Sequence, residues 1–193
     1  MKKKIIITLF FLLYFIPINS TAEIKSIFEG NMEAKIKIIL FESLTCSHCA
    51  NFHKDVYPSL KDEFIDKGLI HIEYRNFPLD LAALNASKIA HCKNDGNSEI
   101  LHYLFDNQKQ WVRGSTIEEF NENIKNVIEK SKFNLDFNEC INNKKVEDHI
   151  LEDRIEGTIK FKIKATPTLI INDKKFEKPL NYEKLKKYLE KLI

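Results

Sequence analysis

Ile36-Lys37-Ile38-Ile39-Leu40-Phe41-Glu42-Ser43-Leu44-Thr45-Cys46-Ser47-His48-Cys49 is the stretch on which the fold turns. Residues 36–41 form an apolar, β-rich run that suits a buried strand, and Thr45 stands where a helix could be capped. From about Cys46 to Phe64, the residues Phe52, Val56, Leu60 and Phe64 recur every four positions as one apolar helical stripe. Pro58 inside that stripe predicts a kink or a break. After Lys67-Gly68, Leu69 to Phe77 reads as a second strand. Strand, helix and strand within about 42 residues make a βαβ unit, whose right-handed crossover implies parallel strands.

Downstream the period changes. Residues 78–161 are helical in pattern, with Leu81, Leu84, Ala86, Ile89 and Ala90 in one segment and Ile117, Phe120, Ile124, Val127 and Ile128 in another. Trp111, Phe105 and Phe120 read as core of this helical block rather than as a binding platform. Thr168–Ile171 returns to strand, Asn172-Asp173 is a turn signal, and Lys175-Phe176 can open a partner strand. Asn181 then caps a last helix carrying Tyr182, Leu185, Tyr188, Leu189 and Leu192. The layout predicts two α/β halves, residues 23–77 and 162–193, separated by a helical insertion over residues 78–161.

With 193 residues, 44% apolar and 30% charged, the chain can bury one substantial core and is short for two typical domains. Its start has the layout of a secretory signal: Lys2, Lys3 and Lys4, an apolar run from Ile5 to Ile16, Pro17, and a polar stretch ending at Ala22. Cleavage near Ala22 is expected, giving an exported, soluble protein, because the apolar run falls short of the roughly 20 residues of a membrane-spanning helix. Losing three lysines takes the formal charge from +2 to −1. Such a surface offers no clustered positive charge for nucleic acid.

Export puts Cys46, Cys49, Cys92 and Cys140 where disulfides persist. Four cysteines allow three pairings, and the Cys46-Ser47-His48-Cys49 spacing favours one of them. A Cys-x-x-Cys pair that follows a strand and opens a helix has a physical use, because the free helix amides and the macrodipole stabilise a thiolate at the first position. Cys46 is therefore the expected thiolate, His48 can add a hydrogen bond or a positive charge to it, and Cys49 is the less exposed, resolving thiol. The competing readings are a structural disulfide or half of a zinc site, but Cys92 and Cys140 stand alone rather than as a second close pair. His53, at helical distance from the pair, is expected on the surface or half-buried rather than as a metal ligand, and no metal is assigned.

Glu42-Ser-Leu-Thr-Cys-Ser-His-Cys-Ala-Asn-Phe-His53, Tyr74-Arg-Asn-Phe-Pro-Leu-Asp80 and Ala165-Thr-Pro-Thr-Leu-Ile-Ile-Asn172 together resemble the DsbA family of periplasmic thiol-disulfide oxidoreductases, in the alphaproteobacterial style. The likeness covers nearly all of the chain after residue 22, in the right order. It implies a thioredoxin-like α/β fold with an inserted α-helical domain, and donation of a disulfide to newly exported, unfolded proteins that contain cysteines. It further implies Cys46 as nucleophile, Cys49 as resolving thiol, and Pro167 in cis facing the pair. The Thr166 backbone would then be open to an extended substrate segment. Reoxidation would come from a quinone-linked membrane partner of the DsbB type, with no cofactor beyond the Cys46–Cys49 disulfide itself. A second bridge, between Cys92 and Cys140, is implied by some relatives; two separate buried thiols are the alternative.

Two positions depart from the family pattern. Ser47 stands where Pro is common, and Leu40 stands where many relatives carry an acid six residues before the first cysteine. Glu42 shares the strand face of Leu40 by period-2 geometry and could relay protons in place of that acid, or it could point to solvent. A disulfide isomerase or reductase of the same fold and a non-catalytic secreted binding module are the rival functions. Only about 13 residues, Glu23 to Lys35, precede the first strand, which favours a monomeric oxidase over an isomerase that associates through an extra N-terminal domain.

Overall fold

The computed structural model describes residues 23–193, so the expected signal segment lies outside the described residues. A five-stranded sheet has the order β1-β3-β2-β4-β5. Its strands are β1 (Ile27–Gly30), β2 (Ile36–Glu42), β3 (Ile70–Asn76), β4 (Thr168–Ile171) and β5 (Lys174–Lys175). Strands β2 and β3 run parallel, from Ile36 opposite Ile70 to Glu42 opposite Asn76, as the βαβ reading requires. The other pairings are antiparallel, with Leu40 of β2 opposite Leu169 of β4. Asn172 and Asp173 both take positive φ (45° and 63°), the backbone that a tight β4–β5 hairpin needs.

Strand β1 lies in the segment expected to precede the first strand. Four residues with an exposed Phe28 give no alternation long enough to read. The strand ends at Gly30, with φ +85°, where a Cβ would sit 2.2 Å from the Ile70 carbonyl oxygen, so only glycine allows β1 to leave β3 at this angle.

The helix expected from Cys46 to Phe64 is three pieces: α1 (Ser47–Asp55), α2 (Tyr57–Leu60) and a π-helical turn (Lys61–Ile65). The break falls at Val56, directly before the turn that holds Pro58, because proline supplies no amide for the helix to continue through. Phe52, Val56, Leu60 and Phe64 are nevertheless all buried in the larger core. Thr45 does not cap α1, as the sequence suggested; its hydroxyl donates to Asp80 Oδ2 at 2.8 Å.

Six helices follow β3: α3 (Leu81–Ala90), α4 (Glu99–Asp106), α5 (Gln108–Trp111), α6 (Ile117–Glu129), α7 (Phe137–Ile141) and α8 (Lys144–Ile159), with α9 (Tyr182–Leu189) closing the chain. Side chains cap five of these seven: Asp80 on α3, Thr116 in a capping box with Glu119 on α6, Asp136 on α7, Asn143 on α8 and Asn181 on α9. Trp111 is fully buried, with its Nε1 donating to the Leu104 carbonyl, and Phe105 is buried beside it, whereas Phe120 is only half-buried. Among the described residues no helix is long and apolar enough to cross a membrane.

The sheet separates two apolar layers. Ile36, Ile38 and Leu40 face the larger one with α1, α3 and α4, while Phe41, Phe77, Ile163 and Ile170 form a smaller one under α8. Gly157 lets α8 lie close to the sheet, since a Cβ there would meet the Phe41 ring at 2.9 Å and Phe77 at 3.2 Å. We expect Gly157→Leu to destabilise the protein by about 1–3 kcal/mol through overpacking, measured by chemical denaturation, despite the better helix propensity of leucine.

Candidate active site

Cys46 occupies the N-cap of α1, with extended backbone angles, and no side-chain oxygen or nitrogen caps that helix end, so its amides are left to the Cys46 sulfur. Cys49 lies one turn further in. Both are free thiols; Cys46 is half-exposed and Cys49 fully buried. Cys46 Sγ lies 3.4 Å from the Thr166 carbonyl oxygen, and the Thr166–Pro167 peptide is cis. The residues that the sequence separates by 120 positions thus meet where β4 begins beside the end of β2. A cleft of about 500 Å3 opens here, lined among others by His48, Phe52, Thr166, Pro167 and Tyr182.

The two thiols are driven apart in acidity. Cys46 is lowered from 9.0 to about 5, first because the Cys49 thiol donates to its sulfur. Partial burial opposes this, and the Cys49 and His48 backbone amides add to it. Cys49 moves the other way, raised by burial, by its bond to the Cys46 sulfur and by the charge of Glu42. His48 was expected to act through its ring; what bears on Cys46 is its backbone amide, while the ring is exposed on the cleft wall.

Glu42 is buried at 4% exposure, so the solvent-facing alternative does not hold. It has the strand parity of Ile38 and Leu40, and its Oε2 lies 2.7 Å from His53 Nε2. His53 in turn is neither on the surface nor half-buried: it is 5% exposed and stacked on Phe105 at 4.0 Å between ring centroids. Among the described residues no group of three or more His, Cys, Asp and Glu side chains is arranged to hold a metal ion.

Helical residues that the sequence reading left out complete the site. Gln108 of α5 donates from Nε2 to the Leu44 and Cys46 carbonyl oxygens, at 2.8 and 3.0 Å, and so holds the loop before the motif. Asp80 holds the same loop through Thr45 while capping α3 through Ala83 N. The capping signal at Asp80 was legible; Gln108 carries no local signal. Away from the cleft, Cys92 and Cys140 are joined by a disulfide between the end of α3 and α7, with Cα atoms 5.1 Å apart.

Residues 22–191 match the family model described as thioredoxin. The chain belongs to the thioredoxin family. Within that family its solved neighbours include α-DsbA1 of Wolbachia pipientis, with a TM-score of 0.74 and 28% identity over 86% of this chain and 90% of that one. BdbD of Bacillus subtilis shares the fold at a TM-score of 0.67 and 20% identity, over 89% and 98% of the two chains. By sequence the chain is 26% identical over 172 residues to disulfide bond formation protein D of Bacillus subtilis, 84% of this chain and 74% of that protein. A Rickettsia bellii relative is 27% identical over 74% of this chain and 55% of its own length, so the chain spans about half of the Rickettsia relatives it matches. The resemblance to DsbA read from the sequence therefore holds, as does the thioredoxin-like α/β fold, with helices α3–α8 inserted between β3 and β4.

Proposed function

We propose that this thioredoxin-family chain is a periplasmic thiol-disulfide oxidoreductase that donates the Cys46–Cys49 disulfide to exported proteins. The observation that carries this reading is the placement of the two thiols, Cys46 half-exposed at the N-cap of α1 beside the Thr166 carbonyl and Cys49 fully buried one turn on, an arrangement that drives the first thiol down in pKa and the second up. A substrate thiolate attacks Cys46 Sγ and breaks the Cys46–Cys49 bond, and Cys49 leaves as a thiolate and takes up a proton. A second substrate thiolate then attacks the substrate sulfur of the mixed disulfide and expels Cys46 as a thiolate. The substrate loses two electrons and the enzyme gains them.

Magnitudes favour donation over reduction. Lowering a thiol from 9.0 to about 5 raises its thiolate fraction at neutral pH by about 100-fold, but with a Brønsted slope of about 0.4–0.5 the intrinsic nucleophilicity falls nearly as much. Attack by Cys46 gains little, whereas its departure becomes faster and the reduced pair becomes more stable. The cleft beside Thr166 and Pro167 supports binding of an extended, cysteine-bearing segment by its backbone. Glu42 is assigned as the group that exchanges a proton with Cys49. A quinone-linked membrane oxidase of the DsbB type is the proposed source of oxidising equivalents, and the monomer the proposed working form.

Equilibration with glutathione buffers tests the reading. We expect a potential well above the ~ −270 mV of thioredoxin. A value near that of thioredoxin would overturn the donor role in favour of a reductase.

A further inference from the structure

Four titratable side chains under the active-site helix are joined end to end, and the reaction above uses only the first. Glu42 Oε2 meets His53 Nε2 at 2.7 Å, His53 Nδ1 meets His102 Nδ1 at 3.0 Å, and His102 Nε2 meets Glu29 Oε1 at 2.5 Å. They come from four different elements, β2, α1, α4 and β1. Stacking fixes both rings, His53 on Phe105 and His102 on Tyr57 at 4.1 Å.

The two ends of this run differ in surroundings. At one end Glu42 Oε1 is buried with no hydrogen-bond partner among the described residues, and the charge of the carboxylate bears on Cys49. At the other end Glu29 accepts from the Tyr57 and Tyr74 hydroxyls, each at 3.0 Å. Its carboxylate is held at about 2: burial raises it, but the hydrogen bond and charge of His102 and the bonds from Ser98 and Tyr57 outweigh that. Glu29 also lines a surface depression with Lys61 and Asp66 that shares no residue with the substrate cleft. An ionised carboxylate at a wet mouth and an unpaired carboxylate oxygen at a dry end are what a path for protons requires.

We infer that Glu42, His53, His102 and Glu29 form a proton wire that supplies the departing Cys49 thiolate from solvent at the β1 edge of the sheet, without opening the substrate cleft to water. The inference rests on the oxidase reading above. Three links joining two imidazoles and two carboxylates hold three protons when each link is satisfied, leaving the set with one negative charge. Donation from Glu42 to Cys49 leaves two protons on three links, so that lone pairs face each other across one of them. The donation is therefore coupled to entry of a solvent proton at Glu29, which keeps the third link filled and makes every group of the run part of the same rate-setting step. One proton leaves at Glu42, one enters at Glu29, and reoxidation of the enzyme runs the transfer backwards.

Of the four, only Glu42 bears on Cys49 through its charge; His53, His102 and Glu29 are positioning and relay residues. Single-turnover oxidation of a dithiol peptide by the oxidised full chain is the test. We expect His102→Gln and Glu29→Gln to slow formation of the mixed disulfide about tenfold or more at neutral pH, with the alkylation profile of Cys46 unchanged. The larger His102→Gly gap should regain the rate with added imidazole, and not with thiophene, which has the ring shape and no proton to pass. Unchanged rates in the variants would overturn the wire, and so would a loss that both rings repair, since that marks a packing role. Should the variants fail to fold, the wild-type rate in mixtures of light and heavy water decides: a curved dependence on deuterium fraction supports several protons in flight, and an unaffected or linear one overturns the wire. A wild type unable to oxidise the peptide removes the oxidase reading and the wire with it, whereas an active wild type with indifferent variants removes the wire alone.

Discussion

Cys46→Ser is expected to bring disulfide transfer down to the uncatalysed background, while Cys49→Ser should leave a protein that captures substrates on Cys46 and releases them slowly. The two outcomes differ because Cys46 alone is half-exposed at the cleft, whereas Cys49 is fully buried, serving as the other half of the donated disulfide and as the thiol that displaces a stalled substrate from Cys46. Non-reducing gels of variants incubated with a scrambled protein distinguish the two. In the reduced wild type the same asymmetry should appear in alkylation. Cys46 reacts with a midpoint near pH 5, and Cys49 stays unreactive through neutral pH. It also fixes a pH dependence of stability. Between about pH 9 and pH 5 the unfolded reduced chain binds one proton more at Cys46 than the folded one. The thiolate therefore contributes stability above that window, and the contribution is lost as pH falls through about 5. The oxidised protein has no such term. The difference in Tm between reduced and oxidised protein should therefore widen from pH 5 to pH 8, and a constant difference would contradict the low pKa assigned to Cys46.

Replacing both Cys92 and Cys140 by alanine should cost about 4 kcal/mol, the loop-closure value for residues 48 positions apart, and lower Tm by roughly 10 °C. The bridge ties α3 to α7, and the loop it closes contains α4 and α5, which carry His102 and Gln108. Activity at low temperature should survive, because neither sulfur approaches the cleft. The measurement is thermal unfolding of the double variant beside the wild type, each assayed for peptide oxidation well below its Tm. Loss of both stability and low-temperature activity would mean that the bridge positions Gln108 against the Cys46 carbonyl.

The βαβ unit and the β4–β5 hairpin were legible because their signals are local: an apolar run, a four-residue stripe, an Asn-Asp turn. Strand β1 was not, since its four residues gain their structure from pairing with β3, and Gly30 is meaningful only once the Ile70 carbonyl is beside it. The same limit governed the site. Cys46 and Cys49 announce themselves by spacing, whereas the parity of Leu40 and Glu42 left Glu42 either inward or facing solvent until its burial beside His53 decided between them. His53 looked like a surface residue because its partners, Glu42, Phe105 and His102, lie 11 to 52 positions away. His48 misled in the opposite sense, since a ring between two cysteines suggests a role that here belongs to its amide.

The pairing of β2 has a consequence for the order in which the molecule can be assembled. This strand pairs with β3 on one side, but its other neighbour, β4, begins only at Thr168, after every helix of the insertion has been made. A chain emerging from its N-terminus therefore carries the middle strand as an open edge for more than 90 residues, a long-range closure of the kind that slows folding and invites mispairing. Throughout that interval Cys46 lacks the Thr166 carbonyl that will stand beside its sulfur, so that side of the reactive centre cannot be completed until the end of the insertion has been passed. Completion of the cleft wall thus waits on the far end of the chain, whereas the Cys46–Cys49 contact across the first turn of α1 is local.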